Sequence, residues 1–124
     1  MARHNRQRAW TRGRRAETFA AWWLRLKGYR VLARNFRVAP GEIDLIARRG
    51  GILALIEVKT RRDLASAGEA ITARQRARIA RAAEAFLQQR PDFSQLSVRF
   101  DVILIARRRL PRHLMDAWRP GDRF

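Results

Sequence analysis

Cysteine is absent from this chain of 124 residues, which excludes a disulfide framework and a cysteine-ligated zinc site. Histidine is scarce as well: only His4 and His113 occur, both in terminal segments, where a histidine is read as incidental. No apolar run approaches the roughly 20 residues that a membrane span needs. The stretch from Met1 to Arg15 is basic but has no apolar core behind it, so it does not read as a secretory signal. A cytoplasmic protein without membrane contact is therefore expected. Acidic residues are few, 11 against 28 basic ones. Lysine is almost missing too. Of the basic residues 26 are arginine, and only Lys27 and Lys59 are lysine. A lysine that survives such a bias hints at a position needing a compact ammonium instead of a planar guanidinium.

What remains is a chain that can fold. Its length suits one compact domain, and 47% hydrophobic residues can fill a core despite the charge. The formal charge of +17 attracts polyanions, with affinity dominated by phosphate contacts and counterion release. Nucleic acid is the partner this favours, DNA before RNA. Indiscriminate adhesion to nucleic acid or acidic lipid is the plainer alternative.

The pattern along the chain divides into alternating elements. Residues 1–11 are polar and basic and read as a flexible arm before a single domain over residues 12–124. From about Thr11 to Lys27, Ala16, Phe19, Ala20, Trp23 and Leu26 follow helical spacing, and Gly28 is placed to end the helix. Tyr29 to Arg37 reads as a strand, and Pro40-Gly41 as a turn. Glu42 to Ala47 alternates with period two, placing Glu42, Asp44 and Ile46 on one face and Ile43, Leu45 and Ala47 on the other. Gly50-Gly51 turns the chain into the apolar strand Ile52–Thr60. Residues 61–70 are a polar loop. Thr72 with Gln75 forms a capping box for a helix to about Gln89, with Ile79, Ala80, Ala83, Phe86 and Leu87 inward. Leu96 to Ala106 is a further strand, and a short helix is expected around Leu114 to Trp118. This order predicts an α/β mixed sheet flanked by helices.

Glu57 and Lys59 stand two apart on a strand and share a face, at the end of a segment too apolar to hold them without partners. Counting from the Gly50-Gly51 turn, antiparallel pairing sets Asp44 nearly opposite Glu57. Two converging carboxylates repel unless one is protonated or a cation lies between them. Hard oxygen donors suit Mg²⁺ or Mn²⁺, and Lys59 beside them could stabilise charge on a phosphate. That is a phosphodiesterase site, with Asp44 and Glu57 as metal ligands and Glu42 as a further ligand on the same face. A surface ion pair between Glu57 and Lys59 is the simpler alternative.

The stretch Gly41-Glu42-Ile43-Asp44-Leu45-Ile46-Ala47, followed by Ile56-Glu57-Val58-Lys59-Thr60-Arg61, resembles the YraN family of small bacterial proteins. It is also similar to the wider PD-(D/E)XK nuclease superfamily, which includes archaeal Holliday junction resolvases. The resemblance covers most of the chain and implies a restriction-endonuclease-like fold, with Asp44 and Glu57 on the metal and Lys59 as the catalytic lysine. It adds Glu17 from the first helix as a further metal ligand. The pattern departs at Ala16, where the family has Gly, and at Arg74, where Lys is common. It implies endonuclease action on DNA, with branched or structured DNA as substrate by analogy. It also allows a homodimer, because resolvases of that shape act on two-fold symmetric junctions.

Phosphate contacts are expected from Arg14 and Arg15, from Arg61 and Arg62, and from the helix face carrying Arg74, Gln75 and Arg78. Trp10, Trp22, Trp23 and Trp118 are candidates for stacking on bases. Trp23 fits the core better, and Trp22 lies off the main stripe. Asp101 reads as half of a structural ion pair with an arginine. The rival from another class is a non-catalytic nucleic-acid-binding module that keeps the nuclease fold; a basic accessory protein of a large assembly is a third reading.

Overall fold

The structure, a computed structural model, describes residues 2–39, 41–60 and 71–120, with side chains from residue 13 onward. The expected loop 61–70, including Arg61 and Arg62, lies outside the described residues, as do the side chains of His4 and Trp10. In chain order the elements are α1 (Ala2–Leu26), β1 (Arg30–Val38), β2 (Gly41–Arg49) and β3 (Ile52–Thr60). There follow α2 (Ala73–Gln89), a 3₁₀ turn (Pro91–Phe93), β4 (Ser97–Ile105) and β5 (Arg112–Trp118). The strands form one sheet ordered β1-β2-β3-β4-β5. All neighbours pair antiparallel except β3 and β4, which run parallel because the α2 crossover returns the chain to the edge it left. This is the mixed α/β sheet expected, in a restriction-endonuclease-like arrangement. α1 packs on one face and α2 on the other.

α1 starts at Ala2, upstream of the Thr11 start that periodicity indicated, so the backbone of residues 2–11 is helical. Its buried stripe is also rotated from the expected one. Ala16, Ala20, Ala21 and Leu24 are buried, whereas Phe19 is 49% and Leu26 78% exposed. The alanines let the helix approach the sheet closely, against Leu45, Ala47, Ala54, Ile56 and Ile103, and that approach turns the larger side chains outward. Periodicity could not separate the two stripes because both contain Ala16 and Ala20. The helix ends as the sequence predicts. Gly28 takes φ +90°, and Tyr29 N–H donates to Leu24 O at 2.9 Å, closing the last turn in the manner of a Schellman cap.

α2 opens with the predicted capping box: Gln75 N–H donates to Thr72 Oγ1 (3.1 Å) and Thr72 N–H to Gln75 Oε1 (3.0 Å). Ile79, Ala82, Ala83 and Phe86 face the sheet. At Gly41 the helix meets β2 backbone to backbone. A Cβ there would run into the carbonyl oxygen of Arg78 and press on Ala82. This close approach fixes α2 three residues before Asp44.

The C-terminal segment is a strand, β5, where a short helix was expected. Leu114, Ala117 and Trp118 have helical spacing, but the spacing arises from an irregularity in the ladder. Val102 pairs with Leu114 and Phe100 with Trp118, so two steps of β4 face four of β5. The extra residues are accommodated at Asp116, whose φ is +51°. Trp118 is buried and stacks on Phe100 with ring centroids 4.2 Å apart, a contact worth about 0.5–1.5 kcal/mol beyond burial. It is therefore unavailable for stacking on bases.

His113 is likewise no incidental tail residue. Its side chain is 2% exposed and its Nε2 lies 2.7 Å from Asp101 Oδ2. Lys27 Nζ lies 2.6 Å from His113 Nδ1. An ammonium can only donate, so Nδ1 accepts and the Nε2 proton goes to Asp101. Arg99 grips the same carboxylate through two 2.9 Å bonds and donates to Tyr29 Oη at 2.6 Å. The Asp116 N–H completes the set. Asp101 is thus the structural ion-pair partner expected. Burial pushes its carboxyl up, and the bonds from His113, Arg99 and the Asp116 backbone outweigh burial and hold it below the usual range.

Gly41→Ala is expected to lower unfolding free energy by about 1–3 kcal/mol, the usual cost of overpacking a tight contact. Equilibrium denaturation measures it. An unchanged midpoint would mean that α2 does not seat on β2 as described.

Candidate active site

The pairing of β2 with β3 runs from Arg49↔Ile52 to Leu45↔Ile56 and stops. One step beyond, at the positions that would pair next, stand Asp44 and Glu57, in the register counted from the turn. The strict alternation expected along β2 breaks at this point. Ile43 joins Ile46 on the α2 side, while Leu45 and Ala47 face α1. The break falls where the ladder to β3 ends, and there the Asp44 carboxylate reaches β3, its Oδ2 accepting the Val58 N–H at 2.8 Å. A side chain thereby satisfies a backbone donor that the sheet no longer pairs.

Glu57 follows on β3, close enough to Asp44 for the two carboxyls to share a hydrogen bond. Lys59 Nζ lies 3.5 Å from Glu57 Oε1, with only 19% and 15% of the two side chains exposed. Burial, more than charge, sets the chemistry here. It raises Glu57 to about 8, and the Asp44 charge adds to that while Lys59 opposes it. Asp44 is also raised, by burial first, against the lowering effect of the Val58 bond and Lys59. The two groups cannot comfortably both be ionised, and they titrate as a pair.

Glu17 approaches from the middle of α1. Burial raises its carboxyl, and the Asp44 charge raises it further. Its Oε1 is buried and has no hydrogen-bond partner among the described residues. An orphaned carboxylate oxygen is costly and marks a place where something else belongs. Glu42 is more remote: its carboxylate is half exposed, 3.6 Å from Arg37 Nε, and touches the pair only through its charge.

Asp44 and Glu57 present only carboxylate oxygens, the hard donors that Mg²⁺ or Mn²⁺ prefers, and these two residues would hold such a cation. Among the described residues no group of three or more His, Asp or Glu side chains lies close enough together to hold a metal ion, so any cation would rest on two carboxylates. A cation that keeps several waters needs no more.

Two arginine-lined clefts take in the outlying acids Glu42 and Glu17. Arg37, Arg74, Arg78 and Arg81 line a cleft of about 800 Å³ that includes Glu42. Arg14, Arg15 and Arg34 line a second cleft of about 670 Å³ that includes Glu17. Gln75 has its Oε1 committed to the α2 cap, so it offers only its amide nitrogen to a ligand. Arg34 and Arg37 were not foreseen. Both lie on β1, an edge strand with a single neighbour, and arginines crowding such a strand were the available signal.

The fold and this acid-rich opening define an α/β protein whose polar groups gather where two central strands part. The chain belongs to the Uncharacterised protein family UPF0102, which matches residues 16–105. A UPF0102 protein of Parvibaculum lavamentivorans is 54% identical over 112 residues, 90% of this chain and 84% of that one. One from Paramagnetospirillum magneticum is 52% identical, covering 91% of each, and one from Bartonella bacilliformis is 49% identical, covering 92% and 93%. No described helix is long and apolar enough to cross a membrane.

The Glu57 carboxyl gives a pH test. Folded, it holds its proton to about 8, against an ordinary value of 4.5. Between those values the folded state binds a proton that the unfolded state has lost, so stability falls as pH rises. Its contribution is full below about 4.5 and gone above about 8. Denaturation midpoints in EDTA should therefore decline from pH 5 to pH 8 more steeply for the parent than for Glu57→Gln. Equal slopes would contradict this reading of the pair.

Proposed function

We propose that this protein is a metal-dependent nucleic-acid phosphodiesterase, an endonuclease of PD-(D/E)XK type acting on DNA. The supporting observation is the meeting of the Asp44 and Glu57 carboxyls beside one ammonium, with Glu17 near enough to feel the Asp44 charge. A protein that only bound phosphate would gain nothing from buried carboxyls at the point where phosphate must approach.

The cation, when bound, would supply Lewis acidity toward the phosphate and lower the pKa of a bound water. The chain's own groups do the rest. Val58 N–H fixes the Asp44 carboxylate and thereby the direction its free oxygen faces. Glu57 and Lys59 share a strand face, so the ammonium stands next to the same phosphate and balances its developing charge. The arginines of both clefts hold the polynucleotide backbone and leave sequence unread. Hydrolysis joins the oxygen of water to phosphorus and breaks the bond to the leaving sugar oxygen. That oxygen takes up a proton as the chain is cut. Branched or structured DNA is the substrate class that the resemblance to junction resolvases suggests.

Incubation with single-stranded, duplex and four-way-junction DNA, in Mn²⁺ or EDTA, tests this. Metal-dependent nicking is expected for the parent. It should be abolished in Asp44→Ala and Glu57→Ala, and lowered on the order of 100-fold or more in Lys59→Ala, the usual cost of losing one group that stabilises charge. Tight binding with no cleavage in either Mg²⁺ or Mn²⁺ would replace the enzyme with a binding module of the same fold.

A further inference from the structure

The cleft that contains Glu17 carries more than charge. Along α1, Arg15, Phe19 and Trp22 fall at spacings of four and three and so form one stripe. Phe19 is 49% and Trp22 59% exposed. These are large aromatic surfaces to leave in water beside a compact core. Both line the cleft of about 670 Å³ together with Arg14, Arg15, Glu17 and Arg34, a volume within the roughly 300–1,000 Å³ of pockets that enclose small ligands. The Arg34 guanidinium is steered across the cleft by a 2.7 Å bond to Thr18 Oγ1, and Arg25 lies over the Trp22 ring.

We infer that this cleft takes unpaired nucleotides of the substrate, with a base stacked on Trp22 and Phe19 and its phosphates among Arg14, Arg15 and Arg34. Aromatic faces interleaved with arginines are the means by which proteins hold single strands, because every base presents a π-face and every nucleotide a phosphate. A duplex offers neither face, since its bases are already stacked on one another. A second copy of this chain is a poorer occupant, because the cleft's arginines and a formal charge of +17 would meet the same charge. Glu17 connects the cleft to the acids, since its carboxyl feels both Asp44 and Arg34. The scissile phosphate therefore lies at the boundary between an unpaired segment and the site. This deepens the phosphodiesterase reading and rests on it only for where the cut falls. The preferred substrate is a junction between single-stranded and paired nucleic acid.

Binding can be read without cleavage. Fluorescence anisotropy in EDTA, at one fixed ionic strength, compares labelled oligothymidylate with a duplex of equal length. Trp22→Ala is expected to weaken single-strand binding about ten-fold, within the range for losing one stacked base, and duplex binding by no more than about two-fold. Trp22→Phe should recover most of the loss. Both side chains project into solvent, so circular dichroism and melting should be unchanged. Equal weakening of both ligands, or no weakening of either, overturns the inference. So does a parent that sediments as a dimer while Trp22→Ala sediments as a monomer, which would assign the stripe to a second copy. Asp44→Ala should keep the single-strand preference. Absence of all metal-dependent cleavage would thus remove the enzymatic reading while leaving the stacking result standing.

Discussion

Two half-buried carboxyls, Asp44 and Glu57, meet at the point where β2 and β3 stop pairing and cannot both hold a charge at low cost, and the rest of the site is organised around that contact. Each is individually expensive. Asp44 is drawn in by a backbone N–H left without a ladder partner, and Glu57 is driven by burial to hold its proton to about 8. A sheet of this size could have closed the gap with two more apolar residues. Instead the apolar strand Ile52–Ile56 ends in Glu57-Val58-Lys59, with one ammonium for the two acids. Retained polarity at such a cost is the physical mark of a site, because marginally stable folds gather perturbed titratable groups where they do work.

The scaffold keeps this unfavourable arrangement in place from three directions. The alanines of α1 bring Glu17 near the pair by letting the helix lie close to the sheet. The absent side chain of Gly41 lets α2 sit directly on the start of β2. On the far edge, Asp101 gathers His113, Arg99 and a backbone N–H into a satisfied polar cluster, which pins β5 to β4. The contrast between the two acid sites is instructive. Asp101 has both carboxylate oxygens fully supplied with donors and its carboxyl is held low, whereas Asp44 and Glu57 have fewer and are raised. Both lysines that survive the arginine bias take part, Lys27 on His113 and Lys59 on Glu57, positions where a point charge fits and a planar fork does not.

Much of this was legible in the sequence. The register that sets Asp44 against Glu57 followed from counting out from a glycine turn, and the caps at Gly28 and Thr72 from local chemistry that tertiary packing rarely overrides. The rest was hidden for reasons that are also physical. The rotated face of α1 could not be read because two stripes shared the same alanines. β5 resembled a helix because a ladder irregularity at Asp116 inserts two residues and counterfeits a spacing of three and four. The break in alternation at Asp44 coincides with the end of the β2–β3 ladder, a long-range property. His113 looked idle because its partners lie at Asp101, 12 residues away, and at Lys27, 86 residues away. Arg34, Phe19 and Trp22 converge only once α1 lies across β1.

The most direct test concerns the proton that the carboxyl pair retains. If a divalent cation takes that proton's place, binding at pH 7 must release it. Calorimetric titration of Mn²⁺ in two buffers of different ionisation enthalpy counts protons per ion. The expected result is a single saturable site that expels about one proton, with the release lost in Glu57→Gln. Saturable binding without proton release, or none that Asp44→Asn disturbs, would contradict the shared carboxyl site.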